Sequence, residues 1–223
     1  MQMLLEREKI MVIDTETANG FDDPLCYDVG WSIIGSDGYV FQIKSFVVSE
    51  IFLDPELMSS AYFADKAPTY WDDILAGRRK LRTFYQIRKE FLNDLRNFKI
   101  KIVSAHNARF DYKSLTTTQR LLTSSKYRYF FPYKVEIWDT LKMARQTFGQ
   151  DPEYIDFCFQ NGYVTPKTHK PQLTAEVLYR FLTGSTFTES HTGTEDTMIE
   201  KDIFISCLKR NPELDGRLWK RDA

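Results

Sequence analysis

The sequence predicts an α/β fold: a mixed, five-stranded sheet, three antiparallel strands first and parallel strands after them, flanked by helices. Three observations carry this expectation. An apolar run begins at Ile10 and ends in polar residues at Asp14, and two β-rich runs, Tyr27 to Ile34 and Tyr39 to Val48, are separated by Gly35-Ser36-Asp37-Gly38. Further on, short apolar runs alternate with stretches of helical periodicity.

In order, the first strand is followed by a loop rich in Asn, Gly, Asp and Pro between Thr17 and Leu25. The Asp-Gly pair marks a hairpin, so the second strand should be antiparallel to both its neighbours. From Phe52 to Leu81, Pro55, Pro68 and Gly77 interrupt the pattern, which suits short helices lying over the sheet. The cluster Arg78-Arg79-Lys80-Leu81-Arg82 reads as a solvated charge run or as a contact to a phosphate backbone. Thr83 caps a helix reaching about Phe98, with Phe84, Ile87, Phe91, Leu92 and Leu95 on one stripe. Ile100 to Ala105 is a fourth strand, leading through His106 and Asn107 into a helix that runs to about Ser125. Tyr127 to Tyr133 is an aromatic and basic segment, read as a turn packed on the core or as a platform for stacked bases. Val135 to Asp139 is the fifth strand, followed by helices at Thr140 to Phe148, Pro152 to Asn161 and Thr174 to Leu182, the last stopped by Gly184. Gly162 to Gln172 reads as a loop whose His169 has too few soft partners for zinc. A final helix from about Thr194 ends before Pro212, and the tail from Asp215 to Ala223 is expected to fray.

The chain has 223 residues, enough for one large core, and a single domain with its core at about residues 10–210 is expected. Hydrophobic residues make up 43% and charged residues 27%, and the net charge of −1 excludes a polybasic mode of nucleic-acid binding. It leaves room for a local basic channel. Three widely spaced cysteines, Cys26, Cys158 and Cys207, suit reduced thiols in the cytoplasm, and no membrane span or signal peptide is expected.

Asp14 and Glu16 are two residues apart on a strand, so both point to the same face. Two anions closing an apolar strand repel one another, and burying them costs several kcal/mol unless a cation lies between them. Oxygen ligands favour a hard divalent ion such as Mg²⁺ or Mn²⁺. The competing reading is a strand that has run out into a polar turn. Asp111, in the first turn of its helix, reads as a capping acid or a catalytic one. His191 and Asp196, at the start of the last helix, likewise each have an ordinary local explanation.

Taken together, the apolar strand ending in Asp-x-Glu, then His106-Asn107-x-x-Phe110-Asp111, then His191-x-x-x-x-Asp196 have the order of motifs of a known superfamily. The chain resembles the DnaQ-like 3′→5′ exonucleases of the RNase H-like fold, in the subtype defined by four acids and a histidine (DEDDh). Asp139-Thr140-Leu141 and Leu173-Thr174-Ala175-Glu176 agree with it too. The stretch from Ala61 to Trp71, with no polymerase or helicase domain alongside, resembles the stand-alone exonucleases of phages. Gly193 departs from the resemblance, standing where the family often has Ala.

The resemblance implies that Asp14, Glu16 and Asp196 hold the metal that activates water. Asp14 would bridge to a second metal supported by Asp111, giving two Mg²⁺ (or Mn²⁺) in all, and His191 would be the general base. It implies that the backbone at Thr17 and Ala18 holds the terminal nucleotide, with His106, Asn107 and Phe110 lining the far wall. The expected activity is removal of nucleoside 5′-monophosphates from 3′ ends of single-stranded DNA. An RNA exonuclease and a non-catalytic scaffold for a replication polymerase are the rivals.

Overall fold

A computed structural model describes residues 8–19, 23–124, 128–186 and 192–219. Strands β1 (Lys9–Ala18), β2 (Leu25–Gly35) and β3 (Val40–Val48) form an antiparallel meander. β5 (Ile102–Ala105) adds parallel to β1, and β6 (Glu136–Asp139) parallel to β5. The five expected strands are joined by a sixth, β4 (Lys80–Arg82), parallel to β3, so that the order is β4-β3-β2-β1-β5-β6. β4 lies within the basic cluster at 78–82. Its three residues are too few to show a period, and only pairing with β3 makes them a strand. The hairpin turns where Asp-Gly predicts: Gly38 has φ of 89°, and its N–H donates to the Gly35 carbonyl at 3.0 Å.

Both faces of the sheet are covered, and the alternation along β1 shows why. Met11 and Ile13 belong to one apolar cluster, Ile10 and Val12 to another. On the first face lie the short helices α1 (Ser49–Phe52), α2 (Pro55–Ser59) and α3 (Ala67–Leu75), then α4 (Phe84–Asn97) and α5 (Ala108–Leu122). α4 begins with a complete capping box between Thr83 and Gln86. On the second face lie α6 (Thr140–Thr147), α7 (Pro152–Gln160), α8 (Ala175–Thr183) and α9 (Gly193–Arg210). Gly184 ends α8 in the left-handed region, φ 67°, as its sequence position predicts.

The tail is a correction. Leu214 is buried, Gly216 accepts from the Asp139 N–H at 2.8 Å, and the Leu218 N–H donates to Ile137 at 2.8 Å. Residues 214–219 thus run along the open edge of β6 rather than fraying, satisfying backbone groups that an edge strand would expose. Residues 220–223 lie outside the described residues. The three cysteines are free and buried, and no helix among the described residues is long and apolar enough to cross a membrane.

Candidate metal centre

β1 outruns its parallel neighbour. The ladder to β5 stops at Val12, whereas β1 continues to Ala18 with only β2 alongside. Asp14 and Glu16 follow the parity of Ile10 and Val12, facing the side on which α9 packs. From the first turn of α9 comes Asp196, which is buried. Ligand oxygens of Asp14, Glu16 and Asp196 lie within 4.8 Å of one another. Oδ2 of Asp14 is buried and accepts no hydrogen bond from the protein. A buried acceptor of this kind, beside two further carboxylates, fits a hard divalent cation.

The start of α9 is seated on β2 by close backbone contact. Gly30 pairs with Asp14 across the sheet, and a Cβ built on Gly30 would meet the Gly193 carbonyl carbon and oxygen at 2.3 Å. On Gly193 a Cβ would lie 2.8 Å from the Gly30 nitrogen and 3.2 Å from the Asp14 carbonyl oxygen. Glycine at 193, the departure from the expected motif, therefore has a local cause: two backbones touch here. Asp28 Oδ2 accepts from the Gly193 N–H at 2.9 Å and from the Tyr70 hydroxyl at 2.7 Å. The buried Arg79 guanidinium joins Asp28, Asp73 and Ser45 to Glu195 at 2.8 Å. The Thr192 N–H donates to Asp196 Oδ2 at 2.9 Å, holding that carboxylate within its own turn.

Asp111 arrives from the opposite face. Thr15, between Asp14 and Glu16 on the strand, points towards α5, and its hydroxyl donates to Asp111 Oδ1 at 2.8 Å while lying 3.0 Å from Ser114 Oγ. Asp111 stands beside the trio without joining it at the 4.8 Å spacing. A fifth acid, Glu200, lies one turn beyond Asp196 on α9, is buried, and lines the same cavity as Asp14. Sequence reasoning missed it, although Asp-x-x-x-Glu on a helix puts both side chains on one face.

Burial drives the Asp14 carboxyl well above its usual range, and repulsion from Glu200, Asp111, Asp196 and Glu16 adds to it. Burial likewise raises Asp111 to about 7, against the opposing Thr15 hydrogen bond. Both acids thus bind protons more tightly in the folded protein than in the unfolded chain. Their contribution to stability is complete at low pH and is lost as pH rises through the folded value, near 7 for Asp111. Burial lowers His106, which offsets part of this trend below its ordinary range, so the window to measure is roughly pH 4 to 7, from the ordinary carboxylate range to the raised Asp111 value. In chelator the melting temperature is expected to fall across this window, by up to about 1.4 kcal/mol of stability per pH unit for one proton. Excess Mg²⁺ should flatten or reverse the slope. Identical slopes with and without Mg²⁺ would count against cation binding at these acids.

The other expected residues divide. His106 lies 3.0 Å from the Thr140 hydroxyl through Nδ1 and 2.8 Å from the Leu173 carbonyl through Nε2. Burial lowers its pKa, and Nε2 donates to the Leu173 carbonyl, tying β5 to the segment before α8. Asn107 takes the left-handed turn into α5, φ 63°, and its N–H donates to Asp139 at 3.0 Å. His106 and Asn107 line a cavity of about 1110 Å³ that opens from Asp14 and Glu200. Phe110 is half-buried in the first turn of α5. Thr17 and Ala18 follow an irregularity in the β1–β2 register; Thr17 is half-buried and Ala18 is fully buried, backbone included. His191 lies outside the described residues.

No protein-family model and no curated protein matches the sequence. Solved structures do match by shape. E. coli exonuclease I, in a zinc-bound complex with single-stranded DNA, is 14% identical over 92% of this chain and 42% of that one, with a TM-score of 0.62. Exonuclease I of Methylocaldum szegediense is 15% identical over 92% and 41%, with a TM-score of 0.58. A 3′-exonuclease that recognises the histone mRNA stem-loop is 13% identical over 93% and 65%, with a TM-score of 0.60. The chain thus spans less than half the length of exonuclease I. Its mixed sheet, antiparallel then parallel and flanked by helices, is the RNase H-like exonuclease fold of these proteins.

Proposed function

We propose that the chain is a metal-dependent 3′→5′ exonuclease of the DEDDh type that removes nucleoside 5′-monophosphates from single-stranded DNA. The observation that carries the reading is the trio of Asp14, Glu16 and Asp196 around a buried, unpartnered Asp14 oxygen. Two Mg²⁺ held there and by Asp111 would supply charge neutralisation for the attacking and leaving oxygens of an in-line displacement. Asp14, Glu16 and Asp196 would hold one ion, and Asp111 would help to hold the other. Thr15 sets the Asp111 carboxylate through its hydroxyl. His191 takes the proton of the attacking water, and the backbone at Thr17 and Ala18 receives the terminal nucleotide. Asn107 and Phe110 line the far wall, which His106 braces from within through Thr140 and Leu173.

The same fold in a 3′-exonuclease that recognises an RNA stem-loop supports RNA as the second substrate reading. End-labelled single-stranded DNA and RNA, incubated with Mg²⁺ or with chelator, separate the readings. Stepwise shortening of DNA from its 3′ end in Mg²⁺ alone is expected. Preferential shortening of RNA would change the substrate, and shortening of neither would favour a non-catalytic scaffold. His191→Ala should retain Mg²⁺ binding, read by thermal shift, and lose about 10²–10⁴-fold in rate, the range for a lost general base. Unchanged turnover would remove His191 from that role.

A further inference from the structure

We infer that the arm between α7 and α8, together with Arg145 across the cavity from it, carries the sugar–phosphate backbone of the strand behind the terminal nucleotide. This inference rests on the exonuclease reading of the adjoining metal centre.

The arm is built, not slack. Val164 and Pro171 form a β-bridge, the Thr165 N–H donates to the Lys170 carbonyl at 2.8 Å, and the His169 N–H donates to Thr165 at 2.9 Å. Gln172 closes its base, donating from its backbone to Tyr163 at 2.9 Å and from its side chain to Val164 at 3.1 Å. His169 takes the left-handed region at the tip, φ 48°, which turns the chain back. This hairpin presents Thr165, Thr168 and Lys170 to the cavity, and α6 presents Arg145.

The cavity carries charges of both signs. Its acids, Asp14 and Glu200, belong to the metal centre, while its cations, Arg145 and Lys170, are exposed and form no ion pair with a carboxylate among the described residues. A cation that leaves its charge unneutralised in a concave site suits a phosphate, which Arg grips in a fork and Lys meets as a point charge. A ligand that needs divalent cations at one end and fixed cations at the other is a polyanion with a reacting terminus. A cationic groove tracking the backbone is how single strands are held without reading sequence. The volume of about 1110 Å³ gives the strand room beyond the terminal residue.

The test measures binding and cleavage separately. Binding of a 5′-fluorescein-labelled oligothymidylate is followed by anisotropy in Ca²⁺, whose longer and less regular coordination substitutes poorly for Mg²⁺. The double variant Arg145→Gln/Lys170→Gln neutralises two fewer phosphates, so its log–log salt slope should be shallower by about 1.4. A fourfold rise in salt then weakens the wild type about sevenfold more than the variant. Lys89→Gln, on the opposite face of the sheet, should leave the slope unchanged. Hydrolysis of thymidine 5′-(4-nitrophenyl phosphate) in Mg²⁺, which occupies the terminal site alone, should proceed at the wild-type rate in the double variant, with an unaltered melting temperature. A salt slope equal to that of Lys89→Gln overturns the inference, and so does a loss on the nitrophenyl ester that matches the loss in oligonucleotide binding. Failure of the exonuclease reading would instead appear as a wild type that binds the oligonucleotide but hydrolyses neither substrate.

Discussion

Asp14→Asn is expected to lower cleavage in excess Mg²⁺ by at least about 10³-fold and, in chelator, to raise the melting temperature. The first effect follows from removing the carboxylate that adjoins every other acid of the centre: repulsion from Glu200, Asp111, Asp196 and Glu16 all bears on Asp14. Metal neutralisation of a phosphoryl transition state contributes several kcal/mol, and about 4 kcal/mol corresponds to the stated rate loss. The second effect has the opposite sign because the metal-free protein carries Asp14 at a cost. Burial and four neighbouring anions oppose its charge, and an amide of the same shape removes that opposition. Stability in chelator should accordingly lose part of its decline with rising pH, and Mg²⁺ should stabilise the variant less than the wild type. A variant with near-wild-type cleavage would place the metal elsewhere. One that melts lower than wild type in chelator would mean that Asp14 serves the fold through bonds to the protein rather than waiting for a cation.

Legibility in the sequence follows the range of the interactions concerned. β1 can be read because its apolar run and alternating carboxylates are local, and α4 because Thr83 and Gln86 complete a capping box within four residues. β4 cannot, since Lys80 to Arg82 become a strand only by pairing with Phe46 to Val48. The docking of residues 214–219 on β6 is hidden for the same reason. At the site, the alternation of β1 predicts that Asp14 and Glu16 share a face. It cannot predict that Thr15, on the other face, reaches Asp111 across 96 residues. Arg79 reads in the sequence only as part of a charge run, and its burial against Asp28 and Glu195 depends on a fold that brings the α3–β4 connection to the start of α9. Glu200 is the one locally visible omission: it has the spacing of a same-face partner to Asp196, yet no motif asks for it.

Gly30→Ala should be the most damaging single-methyl change in the sheet, costing on the order of 1–3 kcal/mol as overpacking. The added Cβ would lie 2.3 Å from both the Gly193 carbonyl carbon and oxygen and 2.6 Å from the Thr194 nitrogen, all backbone atoms that cannot rotate away. β2 is interior to the sheet, so the strain is relieved by moving the first turn of α9. That movement stretches the Asp28–Gly193 hydrogen bond, a charge-assisted contact worth roughly 1.5–3 kcal/mol. It also shifts Asp196 relative to Asp14 and Glu16. Because a displacement of about 1 Å at a reacting centre can cost on the order of 10²-fold in rate, cleavage should fall even where the variant remains folded. Gly193→Ala should act in the same direction, and less severely, since its closest approach is 2.8 Å. Gly38→Ala supplies the contrast. Its φ of +89° makes an alanine strained, while the nearest atom, Ile205 Cγ1, is 3.7 Å away and the turn lies between β2 and β3. It should lose about 1 kcal/mol of stability and keep wild-type cleavage. If Gly30→Ala and Gly38→Ala lowered the melting temperature equally and both retained full activity, the seating of α9 on β2 would have no part in placing Asp196.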